Sequence, residues 1–273
     1  MKPTVAIVGV GLIGGSLGQA LRRTKRYRVL GIARRPETIR EARRVGAIDA
    51  GSLVLSDVYE ADIVVLATPV EMTIPLIEKI RPCLKPHAIV TDVGGVKGIF
   101  DRKIRGVRFV GAHPLAGSHK SGVTASRTDL FKGAVCVLVP QAPAAAKIVR
   151  AMWEAAGARV LVLSAEAHDT AVALTSHLPH LVAHALVRAA AGRPNQKILK
   201  SLMAGSFRDA TRVASSDPEQ WVQIFQANLK NLRQAMRLFQ GELRRLDAEL
   251  AKPSLKATLK KSQAYRLPLF DGI

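Results

Sequence analysis

Residues 6–21 read AIVGVGLIGGSLGQAL, an apolar and uncharged stretch that is rich in glycine and follows Lys2. A basic start before an apolar run also begins secretion signals, and the run approaches the length of a membrane helix. However, the strand-like TVAIVG of residues 4–9 leads into glycines at positions 9, 11 and 14. This order is typical of a strand that turns into a helix. We therefore expect a folded segment here, and neither a cleaved leader nor a membrane anchor.

The three glycines fit the pattern G-x-G-x-x-G, which predicts a dinucleotide-binding loop in this context. Gly9 permits the tight turn, Gly11 lets the backbone approach a pyrophosphate, and Gly14 allows close packing of helix and strand. The free N–H groups at the start of the helix, at Leu12 and Ile13, would face the phosphates. A tight turn without a ligand is the alternative, but it leaves three costly glycines unexplained.

The end of the second predicted strand bears on the choice of cofactor. NAD-binding loops place an acidic residue there to hold the ribose hydroxyls. In GIARRPE, residues 31–37, that position is Ala33, and Arg34 and Arg35 follow it. Guanidinium groups suit a 2′-phosphate, so the sequence favours NADP, with NAD still possible. Two solvated surface arginines are the alternative interpretation.

Strands and helices alternate as far as residue 164, which predicts parallel βαβ units. One buried strand, in DIVVLATP at 62–69, ends at Thr68 and Pro69, which we assign to the cofactor site. From Ala165 onwards long helical patterns replace the strands. The predicted fold is a Rossmann-type α/β domain with a mostly parallel sheet at 1–164, followed by an all-helical substrate and dimerisation domain at 165–273.

Composition limits the class of protein. The chain has 273 residues, 48% of them hydrophobic and 4% aromatic, and its formal net charge is +20. The two cysteines form no disulfide framework or CxxC motif, which favours a cytoplasmic location. The charge indicates either a solvated arginine-rich surface or attraction of small anions. Because no nucleic-acid motif or interleaved aromatic residues accompany it, we expect neither nucleic acid nor membrane as a partner.

Histidines mark two candidate sites, GAHPLAGSHKSG at 111–122 and TSHLPHLVAHAL at 175–186. His113 follows a predicted strand, and a neutral imidazole there could accept a proton; a turn histidine held by Pro114 is the alternative. His177 and His180 share a helix face, which by itself indicates packing more often than a ligand site. No cysteine or carboxylate joins them at ligand spacing, so we expect no metal. We interpret His168 as a surface residue.

Five segments in this order resemble the prephenate and arogenate dehydrogenases of tyrosine biosynthesis. They are the glycine loop, TDVGGVKG at 91–98, GAHPLAGSHKSG at 111–122, SHLPHLVA at 176–183 and FRDATRVASSDPEQW at 207–221. The resemblance implies a homodimer that performs oxidative decarboxylation. A nicotinamide takes hydride from the hydroxyl-bearing ring carbon, carbon dioxide leaves, and the ring aromatises. Prephenate would give 4-hydroxyphenylpyruvate, and arogenate would give tyrosine.

The resemblance also implies roles for individual residues. His113 matches the catalytic histidine, and His177 a residue that positions substrate and nicotinamide. Arg212 matches an arginine that holds a carboxylate of the dianionic substrate, although a salt bridge with Asp209 would explain it structurally. His180 and Ser118 are further substrate contacts implied by the match.

Two positions depart from the family pattern. Gly95 stands where a serine usually supports the catalytic histidine, and His119 stands where an acid is common. The first departure removes a hydrogen bond that orients the histidine, which affects the expected rate or the partner of His113, and a water could take the place of the serine. A nucleotide-binding regulator with weakened catalysis is therefore an alternative function. The sequence does not decide between prephenate and arogenate.

Overall fold

The computed structural model describes residues 2–100, 104–118 and 120–269. Eight strands form a single sheet in the part of the chain so described. They are β1 (Thr4–Val8), β2 (Arg28–Ile32), β3 (Ala50–Ser52), β4 (Ile63–Leu66), β5 (Ile89–Asp92), β6 (Arg108–Pro114), β7 (Val135–Pro140) and β8 (Arg159–Val162). Their order across the sheet is β3-β2-β1-β4-β5-β6-β7-β8.

Neighbouring strands run parallel except for β6 and β7, which pair antiparallel. The strand order reverses between β1 and β4, and open sheets of this kind bind ligands in the crevice beyond that reversal. All residues of β1 and β4 are buried, as expected for strands covered on both faces. The predicted Rossmann-type α/β fold with a mostly parallel sheet is confirmed.

Four helices accompany this sheet: α1 (Leu12–Arg23), α2 (Pro36–Arg44), α3 (Thr73–Ile80) and α4 (Pro143–Ala155). Apolar side chains form one buried cluster on each face of the sheet. The first cluster includes Leu17 and Trp153, and the second includes Ile77 and Phe109. The two layers fix the carboxyl ends of the strands, where the candidate site lies.

The remainder of the described chain is helical, as the sequence predicts. Its helices are α5 (Ala165–Val172), α6 (Leu178–Ala191), α7 (Gln196–Leu202), α8 (Gly205–Thr211), α9 (Pro218–Ala227), α10 (Leu229–Glu249) and α11 (Ser254–Arg266). A π-helical turn, Ala173–His177, joins α5 to α6 without a break. The apolar core of this part is small and is built around Ala173, Leu178, Leu232 and Ala235.

Many apolar side chains of these helices face outward. Leu174, Leu186 and Leu202 are 51%, 41% and 73% exposed in the single chain. The continuous helix Ala165–Ala191 is long and apolar enough to span a membrane by length and hydropathy alone, and 28% of its most apolar window is buried. Both features fit a helical unit whose apolar surface needs a cover that a single copy does not supply.

Two local features differ from the sequence reading. The short strand β3, of sequence AGS, was not expected because three small residues carry no strand pattern. The helical pattern from Asp217 to Leu250 is interrupted at Asn228, where α9 ends and α10 begins. Helical periodicity continues through the interruption, so hydrophobic spacing does not reveal it.

Candidate active site

The glycine loop after β1 has the geometry that its pattern predicts. Gly9 has φ +94°, and a Cβ there would lie 2.5 Å from the carbonyl oxygen of Ala67. A Cβ on Gly14 would lie 2.3 Å from the carbonyl oxygen of Gly9. Both positions therefore require glycine. Gly11 differs, since a Cβ there would meet nothing within 4 Å, so its missing side chain leaves open space.

That open space has the surroundings of an anion site. Helix α1 begins at Leu12 and Ile13 without a side-chain cap and without an acidic residue in its first turn. Its first N–H groups are therefore available to an anion, which the helix dipole also favours. The hydroxyl of Thr68, buried beside Gly9 and followed by Pro69, has no hydrogen-bond partner among the described residues. These features fit the pyrophosphate of a dinucleotide.

The end of β2 lies next to this loop. The Gly9 N–H donates to the carbonyl of Ile32 over 2.9 Å, so the following residues start beside the glycine turn. Ala33 is partly buried there, and Arg34 and Arg35 are exposed. The chain thus brings two guanidinium groups, and no carboxylate from the Ala33 position, to the end of β2.

His113 lies near the end of β6 and belongs to a hydrogen-bonded chain of three residues. Its Nδ1 lies 2.8 Å from Nε2 of His168, and Nδ1 of His168 lies 2.7 Å from Oδ1 of Asp169. The carboxylate can only accept, so His168 carries its proton on Nδ1 and presents an unprotonated Nε2. That nitrogen accepts from Nδ1–H of His113, which leaves Nε2 of His113 as a proton acceptor.

The surface position expected for His168 is wrong, because the residue is 0% exposed. It lies in the first helix of the helical part, next to an acid, where sequence alone suggests a solvated helix start. Its partner His113 is 55 residues away in sequence. Only the packing of α5 against the sheet domain brings the two together.

Asp169 fixes this packing. Its two carboxylate oxygens accept hydrogen bonds from the backbone N–H groups of Lys97 and Gly98, at 2.8 and 2.7 Å. These residues follow β5, so the carboxylate joins α5 directly to the sheet. The bonds also orient the carboxylate toward His168, which places the three-residue chain accurately.

Gly95 lies on the opposite edge of the His113 ring. A Cβ at position 95 would be 3.7 Å from Nε2 of His113, an ordinary contact distance. A serine there would thus reach Nε2, whereas His168 holds Nδ1. In this chain the ring is held through Nδ1, and Nε2 faces the space that glycine leaves open.

A buried ion pair lies behind His113. The Lys97 ammonium contacts the Asp92 carboxylate at 2.6 Å, and both side chains are fully buried. The other oxygen of Asp92 accepts from the N–H of Ala112, which precedes His113. Burial, and then the Lys97 charge with His168 and His177, holds the pKa of His113 well below its usual value. The imidazole is therefore neutral at physiological pH.

His177 and His180 come together on one aromatic side chain, as their shared helix face predicts. The ring of His180 stacks on Trp221 with centroids 3.4 Å apart, and the His177 ring approaches Trp221 edge-on at 6.1 Å. Pro179 has no N–H to donate to the preceding turn, which accounts for the π-helical turn ending at His177. Burial lowers the pKa of both imidazoles to about 4.

The other predicted substrate contacts lie at the rim. Arg212 is exposed in a 3-10 turn, and its charge contributes to the low pKa of His180. Asp209 pairs with Arg208 rather than with Arg212. Ser118 is exposed on the loop after β6, where its Oγ accepts from the N–H of Lys120 at 3.2 Å. His119, the second departure from the family pattern, lies outside the described residues.

The helical part also approaches the cofactor side of the sheet. Gln223 of α9 donates to Glu71, three residues after Thr68, over 2.9 Å.

Within the described ranges, no group of three or more His, Cys, Asp or Glu side chains is placed to hold a metal ion.

Sequence reasoning did not find four polar residues of the site: Asp92, Lys97, Asp169 and Asn228. Each is buried, and each makes a hydrogen bond to another of the four. The sequence does carry a signal for Asp92 and Lys97, because two opposite charges in apolar surroundings indicate a buried ion pair. Buried charges are rare unless they are paired. Asn228 carries no comparable signal in a polar helical segment.

Comparison with known proteins agrees with this architecture. A family model described as prephenate dehydrogenase, nucleotide-binding domain, matches residues 17–162, and one described as prephenate dehydrogenase, dimerization domain, matches residues 164–261. A cyclohexadienyl dehydrogenase of Zymomonas mobilis is 34% identical over 97% of this chain and 95% of its own length.

Solved structures give the same result. Prephenate dehydrogenase from A. aeolicus, in complex with hydroxyphenyl propionate and NAD+, superposes with TM-score 0.89 at 34% identity, over 98% of this chain and 99% of that one. Synechocystis arogenate dehydrogenase superposes with TM-score 0.85 at 32% identity, over 97% and 99%. The chain, with its dinucleotide loop, its histidine-lined site and its helical second half, therefore belongs to the prephenate dehydrogenase family.

Proposed function

We propose that this protein catalyses the NAD(P)-dependent oxidative decarboxylation of prephenate to 4-hydroxyphenylpyruvate. The observation that carries the proposal is the chain from Asp169 through His168 to His113, which leaves an unprotonated imidazole nitrogen at the carboxyl edge of the sheet. Membership of the family and the open loop at Gly11 support the same reaction. The bound nicotinamide supplies an acceptor for hydride from the hydroxyl-bearing ring carbon.

In this mechanism His113 is the catalytic residue. Its Nε2 accepts the hydrogen bond of the substrate hydroxyl and holds the proton while the hydride and carbon dioxide leave. The same proton ends on the phenol oxygen of the product, so the imidazole is regenerated neutral. His168 and Asp169 stabilise the transient positive charge from the Nδ1 side.

We assign substrate binding to the residues around His113. His177 and His180, gathered on Trp221, would contact the ring and its polar groups. Arg212 supplies a planar guanidinium for one carboxylate of the dianion, and Ser118 a hydroxyl. The carboxylate that leaves as carbon dioxide must stay free to depart, so Arg212 would hold the substrate without fixing both acids.

The helical half supports a proposal about domain division and assembly. We propose a division into domains 1–164 and 165–273, and a cytoplasmic homodimer formed through the helical domain. The support is the match to a dimerization domain together with the outward apolar side chains of α6 and α7. A second copy would cover the apolar helix surface better than a membrane, since Asp169 and four histidines interrupt Ala165–Ala191.

Initial rates with prephenate and arogenate, each paired with NAD and NADP, test the proposed reaction. We expect reduced nicotinamide and 4-hydroxyphenylpyruvate to form in equal amounts when prephenate is supplied. Turnover of arogenate alone would identify the protein as an arogenate dehydrogenase. Cofactor binding without turnover of either substrate would instead support a regulator that has lost catalysis, the alternative that Gly95 raises.

We further propose that NADP is preferred over NAD, on the strength of Ala33, Arg34 and Arg35 at the end of β2. Changing both arginines to alanine should weaken NADP binding by roughly 10- to 100-fold, the equivalent of one charge-assisted hydrogen bond of about 1.5–3 kcal/mol, because both guanidinium groups are exposed and each contributes less than a buried one. NAD, which has no 2′-phosphate, should bind almost as before. Fluorescence titration of each cofactor measures the two affinities.

The matched control removes the same charge from the far end of α2, where Arg43 and Arg44 are also exposed. This double alanine variant should leave the ratio of NADP to NAD affinity unchanged. If both double variants weakened the two cofactors equally, Arg34 and Arg35 would be surface charges only.

A further inference from the structure

Asn228 occupies the break between α9 and α10 and is 3% exposed. Its Nδ2 donates to the main-chain carbonyl of Asp169 over 2.7 Å and lies 3.2 Å from Nδ1 of His177. Its Oδ1 accepts from Nδ2 of Asn231 at 2.8 Å. The amide therefore has a defined partner on each side, and one of them is a histidine of the site.

The orientation of this amide follows from its partners. The carbonyl oxygen of Asp169 can only accept, so the nitrogen of Asn228 must face it. The same nitrogen carries a second hydrogen, which points to Nδ1 of His177. That ring nitrogen must then be an acceptor, and a neutral imidazole that accepts at Nδ1 carries its proton on Nε2. Burial keeps the ring neutral, since it lowers the pKa of His177 to about 4.

We propose that Asn228 is a positioning residue that holds His177 in the Nε2–H tautomer, so that His177 donates a hydrogen bond to an oxygen of the bound substrate. The inference rests on the proposed function and assigns a polarity to one of its binding residues. His177 then has the opposite role to His113, whose Nε2 accepts. A hydroxyl oxygen or carboxylate of the substrate that receives a hydrogen bond from His177 would be held in place. The neighbouring substrate hydroxyl would then give its proton to His113.

Both assignments depend on Asp169, which acts through different atoms. Its carboxylate directs His168 and thereby makes His113 an acceptor, while its main-chain carbonyl directs Asn228 and thereby makes His177 a donor. One residue of α5 thus sets opposite tautomers in two imidazoles of the site. An oxygen-rich dianion needs donors for its oxygens and one acceptor for its hydroxyl proton, and this arrangement supplies both.

The test is nitrogen NMR of the full-length protein labelled with 15N-histidine, since protonated and unprotonated ring nitrogens give separate signals. A His177→Gln variant identifies the signals of His177. We expect its proton on Nε2 in the unaltered protein at neutral pH. In Asn228→Asp, of nearly the same size, a carboxylate would accept where the amide donates. The His177 proton should then move to Nδ1, or the ring should become doubly protonated.

The same variant should lower kcat/KM for prephenate by about 10-fold or more, chiefly through KM, with cofactor affinity unchanged. Asn228→Ala, which has no acceptor, should give a mixture of the two tautomers and serves as a second variant if Asn228→Asp fails to fold. Gln234→Glu makes the same amide-to-acid change on the exposed side of α10 and should alter neither the tautomer nor the rate.

A proton on Nδ1 of His177 in the unaltered protein would overturn the inference, as would an Nε2–H tautomer that survives in Asn228→Asp. Failure of the proposed function would look different. In that case the unaltered protein would not oxidise prephenate, whereas the tautomer of His177 could still be read from its ring signals.

Discussion

Asparagine in place of His113 is expected to lower kcat by about 100- to 10,000-fold, the range that general acid–base catalysis contributes. The asparagine amide can still donate to Nε2 of His168, so the hydrogen-bonded chain to Asp169 keeps its end partner. What the variant lacks is a nitrogen that accepts the substrate proton. Steady-state rates with saturating prephenate measure the loss, and cofactor titration should give an unchanged Kd.

His87→Asn is the matched control, because this imidazole is 67% exposed and lies at the amino end of β5. It should retain the full rate. A His113→Asn variant with the rate of the unaltered protein would mean that the proton leaves by another group and that our assignment of the catalytic residue is wrong. A large loss of cofactor affinity would mean that His113 supports the nucleotide site instead.

The structure also shows where the affinity of His113 for the substrate proton must come from. A general base with a pKa near the working pH balances its availability in the unprotonated form against its affinity for the proton. In the folded protein the pKa of His113 is held well below its usual value, first by burial and then by the charge of Lys97. The neutral acceptor is thus fully available at neutral pH. Its affinity for the proton must come from His168 and Asp169 as charge develops.

The glycine loop shows what a sequence can predict about such a site. Gly9 and Gly14 are required by local contacts, within a strand, a turn and the helix that follows, so their spacing carries the information. The place of His113 at the carboxyl edge of the sheet likewise follows from the predicted strand before it, whereas its catalytic role is implied by the resemblance to the family. In both cases the decisive contacts lie within a few residues or follow from the strand order.

The network behind His113 could not be predicted in this way. His168 and Asp169 begin a helix in the second half of the chain, and their partners lie 55 and 72 residues earlier. Their contacts depend on how α5 docks against the loop after β5, which no local pattern encodes. Asn228 was missed for a related reason, since the hydrophobic spacing of α9 continues into α10.

Lys97→Met is expected to have the largest effect on stability. The Lys97 ammonium and the Asp92 carboxylate are fully buried and 2.6 Å apart, so removal of the cation leaves a buried charge unpaired. Breaking a pair of this kind typically costs about 3–5 kcal/mol. Two backbone donors, the N–H groups of Gly94 and Ala112, remain on Asp92 and should keep the loss toward the lower value. Denaturant unfolding at fixed protein concentration measures the free energy of unfolding.

The double variant Asp92→Asn with Lys97→Met shows whether Lys97→Met loses stability through the missing attraction to Asp92 or through the unpaired Asp92 carboxylate. It should be more stable than Lys97→Met alone, because the neutral amide no longer needs a cation. If Lys97→Met lost less than about 1 kcal/mol, the carboxylate would have to be solvated or protonated in the fold, and the pair would not hold the β5–β6 junction.

Loss of the cation in Lys97→Met should also raise the pKa of His113 toward its ordinary value, since burial, His168 and His177 would then act on it without Lys97. The acid limb of kcat/KM would accordingly move to higher pH, which ties the buried pair to the proton acceptor that it supports.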